Sequence, residues 1–175
     1  MNYAEKLKQF NSTEKYKKEL EFLKALILMS AKTTDNNLDF GCGIGTAVNY
    51  FNEDFIITKG YEKNIHNKEF DYENTYCEKY DTVYFLHSFA HIDNIQDVLI
   101  DLNTKRVIVI TPNIVWLKFN HNPDYMPDPT VFKHYNQTEL IKMFEYLGFE
   151  IEISGGFGKV TDNQNERLFL VAKKK

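Results

Sequence analysis

The chain has 175 residues, 43% of them apolar and 15% aromatic, with 21 basic against 25 acidic residues and a formal charge of −4. That length fits one domain, residues 1–175, around a single core, and the acidic balance argues against a phosphate backbone held by charge alone, so nucleic acid is disfavoured as a partner. Cys42 and Cys77 have neither disulfide-framework nor zinc spacing, no apolar leader opens the chain, and the longest apolar run, 25–29, is far too short for a bilayer, so a cytoplasmic protein without a membrane partner is expected.

In chain order, Tyr16, Leu20, Leu23, Leu26 and Ile27 recur at helical spacing, which predicts an amphipathic helix over 12–31, capped by Ser12, in a lead-in region 1–31. Residues 38–40 read as a buried strand stopped by glycines, 46–51 as a helix, and 55–61 as a second strand ending at Glu62. The polar stretch 64–79 reads as a loop with a short edge strand near 72–76. A strand over 82–86 follows, then a helix that Asp93 and Gln96 open as a capping box, then a strand over 106–111 almost unbroken in Val and Ile, as a sheet covered on both faces requires. The stretch 112–135 holds Trp116, Phe119, His121, Tyr125, Met126, Phe132 and His134, and is long enough to act as a substrate or lid loop. Asn136 with Glu139 opens a helix that Gly148 ends, and 149–154 and 167–171 are closing strands. Alternating strands and helices predict a three-layer α/β sandwich around a mostly parallel sheet.

The strand over 38–40 carries Asp39 and runs into Gly41, Gly43 and Gly45 at the sheet edge where such folds bind ligands. Glu62 ends the next strand 21 residues after Gly41, the distance at which a carboxylate reaches a ribose diol. A dinucleotide fingerprint needs a third glycine at position 46, which is Thr46, so nicotinamide and flavin are demoted. Asp39 would repel a pyrophosphate and suits a ligand carrying an ammonium group.

Leu38-Asp39-Phe40-Gly41-Cys42-Gly43-Ile44-Gly45 resembles the first motif of the class I S-adenosylmethionine-dependent methyltransferases, and Gly60-Tyr61-Glu62 resembles their second-strand acid. Residues 80–91, with Leu86-His87-Ser88-Phe89, are similar to their fourth-strand region, and Ile110-Thr111-Pro112-Asn113 to the end of their fifth strand. The resemblance covers 38–173 and implies a Rossmann-like, mostly parallel seven-stranded sheet with an antiparallel closing strand. It also implies S-adenosylmethionine as cofactor, left as S-adenosylhomocysteine. Asp39, Gly41, Cys42, Gly43 and Gly45 would then hold the methionine end, Glu62 the ribose, and Leu86 with His87 the surroundings of the sulfonium. Lys63 stands where an apolar residue usually covers the adenine, its methylene stem taking that role, and Asp71 is the candidate for the adenine amino group. The acceptor is expected to be an oxygen or nitrogen of a small molecule or sugar, met by Asn113, Trp116, His134 and Tyr135, with His87 or His134 as the base. A methyltransferase acting on protein or nucleic acid, and a non-catalytic S-adenosylmethionine-binding subunit, stay open beside this reading. His87 and His91, four apart, lack an evident third ligand, so no metal is expected.

Overall fold

The computed structural model describes residues 3–30, 36–64, 67–114, 130–161 and 164–175. Two helices lead in, α1 (Tyr3–Asn11) and α2 (Glu14–Ser30), where one was predicted. The break falls at Thr13, whose hydroxyl accepts from the Tyr16 amide at 3.2 Å and so caps α2, while Ser12 turns back to the Gln9 carbonyl. Tyr16, Leu20, Leu23, Leu26 and Ile27 are all buried, as their spacing requires.

β1 (Asn37–Phe40), α3 (Thr46–Glu53), β2 (Thr58–Tyr61), β3 (Tyr80–Leu86), a 3-10 turn (Phe89–His91), α4 (Ile95–Asp101), β4 (Thr104–Pro112), α5 (Gln137–Tyr146), β5 (Phe149–Thr161) and β6 (Gln164–Lys174) complete the described elements. Among the described residues the sheet has six strands in the order β2-β1-β3-β4-β6-β5, with β6 antiparallel to both neighbours and the pairs among β1 to β4 parallel. The seventh strand expected near 72–76 does not form. That segment makes one backbone bond to the edge of β2, Glu73 N–H to Gly60 O at 2.8 Å, and then bends at Asn74 and Tyr76, where the Tyr76 ring packs on Phe40 at 5.1 Å, so it does not run alongside β2 as a strand. β2 is shorter than predicted, since Phe55 takes a left-handed φ of 61° and belongs to the turn after α3.

Residue alternation along the strands divides the core into two layers. Val83 and Phe85 of β3, with Val107 and Val109 of β4, face α4 and α5, while Tyr84, Leu86, Ile108 and Ile110 face α2 and α3. The three-layer expectation therefore holds. Leu38 and Phe40 point to the α4 and α5 side, so the intervening Asp39 points into the α2 side. The capping box of α5 forms in full, with Asn136 accepting from the Glu139 amide at 2.9 Å and Glu139 accepting from the Asn136 amide at 3.1 Å, and Gly148 ends the helix at φ 83°. The one expected at Asp93 does not form: α4 begins at Ile95 behind Asn94, whose side chain makes no cap. No helix among the described residues is long and apolar enough to cross a membrane.

Candidate active site

The strand order reverses at β1, which lies between β2 and β3, and the crevice this opens at the carboxyl ends of β1 and β3 is where an open α/β sheet takes its ligand. The turn after β1 fills that position. Gly41, Gly43 and Gly45 have φ of 77°, 59° and 81°, a conformation that disfavours side chains. A Cβ on Gly41 would sit 2.4 Å from Ser88 Cβ, and one on Gly45 would sit 2.2 Å from the Phe70 ring. The glycines thus bring Ser88 and Phe70 against the loop. Its amides are directed inward: Gly41 and Cys42 donate to the Tyr61 carbonyl at 2.8 and 3.2 Å, Gly43 donates to Glu62 Oε2 at 3.0 Å, and Gly45 to the Cys42 carbonyl at 2.9 Å.

Asp39 is 2% exposed and its Oδ1 has no hydrogen-bond partner. Burial, then the charge of Glu62, push its carboxyl well above the usual carboxylate range. An ionised carboxylate in that position lacks a cation. Glu62 is half-buried, with Oε2 on the Gly43 amide and Oε1 on the Asn64 amide at 3.1 Å, so its carboxylate is oriented while lone pairs stay open for a diol. Cys42 is buried, and burial followed by Asp39 and Glu62 pushes its thiol up, which suits a packing role.

A cavity of about 450 Å³ opens beside Glu62 and Lys63, walled by Tyr61, Phe70, Tyr72 and Asn74. Asp71 does not line it. It borders a second cavity of about 600 Å³, with Asn49 and Lys59, and Phe70 and Glu73 border both. The segment carrying these residues straps the glycine turn, with the Tyr72 hydroxyl donating to the Gly43 carbonyl at 2.7 Å. Phe70 and Tyr72 were missed from sequence because the segment shows no periodicity.

Leu86 ends β3, 8% exposed and packed in the α2-side core. His87 follows at φ 64°, left-handed for a non-glycine residue and therefore a strained position fixed by its surroundings. Ser88 helps fix it by seating on Gly41 and donating to the Phe40 carbonyl. The imidazole Nε2 lies 2.6 Å from Glu19 Oε2, and Arg167 Nε donates to Glu19 Oε1 at 3.0 Å. Glu19 and Arg167 are 2% and 7% exposed. Neither was singled out from sequence, yet the signal for Glu19 was present: it sits three residues after Tyr16 and four before Leu23, on the apolar stripe of α2, where a charge demands a partner. From α1, Phe10 meets the His87 ring edge-on at 6.0 Å and Leu7 stands 3.3 Å from where a Gly43 Cβ would be.

The acceptor side is held by the end of β4. Asn113 bridges Tyr135, and its side-chain amide donates to the Asn165 carbonyl at 2.9 Å, tying it to β6. Tyr135, expected to meet the acceptor, is 3% exposed and packs on Phe89 at 5.4 Å; it is a core residue because the bridge draws it inward. His134 is half-buried one residue earlier, at the same sheet edge as His87. Trp116, and most of the loop 112–135, lie outside the described residues. His91 accepts or donates at Thr130 Oγ1, 2.8 Å away, and helps anchor the returning chain.

A parallel sheet with an antiparallel closing strand, an acid before a glycine turn and a second acid ending β2 define a class I methyltransferase. The family described as a methyltransferase domain matches residues 9–153, and the chain belongs to that family. Its cofactor is S-adenosylmethionine. No curated protein matches the chain. Among solved structures it is similar to the PH0226 protein of Pyrococcus horikoshii (17% identity, TM-score 0.69, covering 94% of this chain and 93% of that one). It is similar also to magnesium protoporphyrin IX methyltransferase of Synechocystis with bound S-adenosylhomocysteine (14%, 0.67, 100% and 89%). A third is the small RNA methyltransferase HEN1 (14%, 0.63, 91% and 25%). At these identities the likeness is one of fold, and a fold serving porphyrin and RNA enzymes alike does not choose an acceptor.

Proposed function

We propose that the protein moves the methyl group of S-adenosylmethionine to an oxygen or nitrogen of a small molecule or sugar. Asp39 takes the cofactor's ammonium group, Glu62 the ribose hydroxyls, and Lys63 with the Phe70–Tyr72 wall flanks the adenine. The observation that carries this reading is the Oδ1 of Asp39, a buried acceptor without a hydrogen-bond partner among the described residues, beside the glycine turn. S-adenosylmethionine supplies, when bound, a methyl group already activated by positive sulfur. What falls to the protein is alignment and the exclusion of water. His87 takes the proton that the acceptor gives up, and His134 at the same edge contacts the acceptor. A chain of net charge −4 supports a small acceptor over a polyanion.

Calorimetry tests the donor site: S-adenosylmethionine and S-adenosylhomocysteine bind and NAD does not, and tighter binding of NAD would overturn the assignment. Release of S-adenosylhomocysteine across a panel of phenols, sugars and amines tests the transfer, and binding without turnover on any of them would favour a non-catalytic subunit.

A further inference from the structure

Behind His87 the structure builds a relay of charge that runs through three elements. The imidazole Nε2 meets Glu19 on α2 at 2.6 Å, Glu19 meets Arg167 on β6 at 3.0 Å, and Arg167 Nη1 meets Glu166 Oε1 at 3.2 Å, with Lys15 of α2 also on Glu166. His87 keeps 19% of its side-chain surface exposed against 3% for Glu19. Its Nδ1 has no hydrogen-bond partner among the described residues. We infer that Glu19, held by Arg167, is a positioning residue that fixes His87 with its proton on Nε2 and its lone pair on Nδ1, and that the methyl acceptor here is therefore a hydroxyl group. The inference rests on the reading of this site as a methyl-transfer site.

The charge states follow from the surroundings. Burial alone would raise Glu19, but the hydrogen bond from His87, the charge that His87 carries only at the acid pH where Glu19 titrates, and Arg167 with Lys15 outweigh it and hold the carboxyl below its ordinary value. For His87, burial lowers the imidazole, Glu19 pulls it back up, and Arg167 and Lys15 push it down again, leaving it below its ordinary value. Glu19 is thus the anion and His87 a neutral ring. A neutral imidazole whose Nε2 faces a carboxylate at 2.6 Å must donate there, so the remaining nitrogen is a base.

A base of this kind matches a hydroxyl. As the acceptor oxygen forms its new bond to the methyl carbon, the carbon–sulfur pair stays on sulfur and the O–H proton goes to Nδ1. One positive charge leaves sulfur and one appears on an imidazolium 2.6 Å from Glu19, where an anion in a dry setting stabilises it most. An unprotonated amine attacks through its own lone pair and sheds its proton only after the bond has formed, so it needs no base in the transfer step itself. A purely structural role is already served by the Arg167–Glu19 pair, which ties α2 to β6 without a histidine held at φ 64°.

Nitrogen-resolved NMR of the imidazoles in the unliganded protein tests this directly, with His87→Asn assigning the His87 signals. The expected result is a neutral His87 protonated on Nε2 at neutral pH, titrating below the ordinary histidine range, and a changed tautomer balance in Glu19→Gln. Protonation on Nδ1, or an imidazolium at pH 7, overturns the inference even if Glu19→Gln does not fold. Steady-state turnover supplies the second readout: Glu19→Gln should lower kcat on hydroxyl acceptors at least about tenfold and shift the acidic limb of its pH profile, with S-adenosylhomocysteine affinity within about twofold. Equal kcat in Glu19→Gln and wild type also overturns it. Loss of S-adenosylhomocysteine binding by the wild-type protein would instead sink the methyl-transfer reading, so the two failures are separable.

Discussion

Asp39 combines two properties that function and stability value oppositely. Its carboxyl is pushed up in the folded chain, so its contribution to stability is full below the ordinary carboxylate pKa and is lost as pH rises through the raised one. At neutral pH the unliganded protein therefore bears the cost, and Asp39→Asn should raise the melting temperature by roughly 2–4 °C for each kcal/mol relieved, while weakening S-adenosylhomocysteine at least about tenfold. Scanning calorimetry and titration calorimetry on the same samples check both signs. The same linkage predicts that S-adenosylhomocysteine binds more tightly as pH rises toward neutrality and that binding releases a proton, measurable by titrating in buffers of different ionisation enthalpy. Glu62 differs, since it is half-buried and already accepts two amides. Glu62→Ala should cost about 1–3 kcal/mol of cofactor affinity with the fold retained by circular dichroism, and an unchanged affinity would remove the ribose role.

The glycine turn is legible from sequence at the level of the element, and the structure shows which neighbours make each glycine necessary. Gly41 and Gly148 both have positive φ, but a Cβ on Gly148 meets nothing within 4 Å while one on Gly41 meets Ser88 at 2.4 Å. Gly148→Ala should thus cost ~1–2 kcal/mol for the left-handed backbone alone, and Gly41→Ala ~1–3 kcal/mol more for the displaced side chain. Denaturant titrations that gave equal losses would mean that Ser88 yields freely. The elements that sequence found were those whose periodicity is strong: α2, β3, β4 and α5 all form, and α5 buries Leu140 and Phe144. α1 escaped because its short set of Tyr3, Ala4, Leu7 and Phe10 precedes the longer stripe of α2, and the role of Leu7 and Phe10 is to lie over the turn and His87, a contact that no local pattern encodes. The His87–Glu19–Arg167 cluster joins residues 68 and 148 positions from Glu19; the stripe of α2 announced that Glu19 needs a partner, but only the packing of β3 and β6 on α2 says which.

For the whole molecule, charge separates the candidate acceptors. An enzyme that engaged RNA through several phosphates would lose affinity roughly 1,000-fold or more between about 50 and 200 mM salt. A chain with 21 basic and 25 acidic residues should hold no RNA oligonucleotide in a gel-shift assay at either concentration, and its turnover of a neutral hydroxyl acceptor should change less than about twofold over that range. A steep salt dependence would return nucleic acid to consideration.

The absent seventh strand leaves β2 at one border of the sheet and β5 at the other, and an exposed border is a template for pairing with other chains. β2 is four residues long, with Lys59 bound to Glu73 at 3.0 Å and Glu78 within 3.8 Å across its free side. β5 is 13 residues long but carries Glu150 and Glu152 and shifts register at Ile151/Ile153 and again at Lys159/Thr161. One border is made too short and too charged to nucleate addition, and the other is bent out of register, so a fold that gave up its outermost strand beside the cofactor site still resists growing into aggregates through its edges.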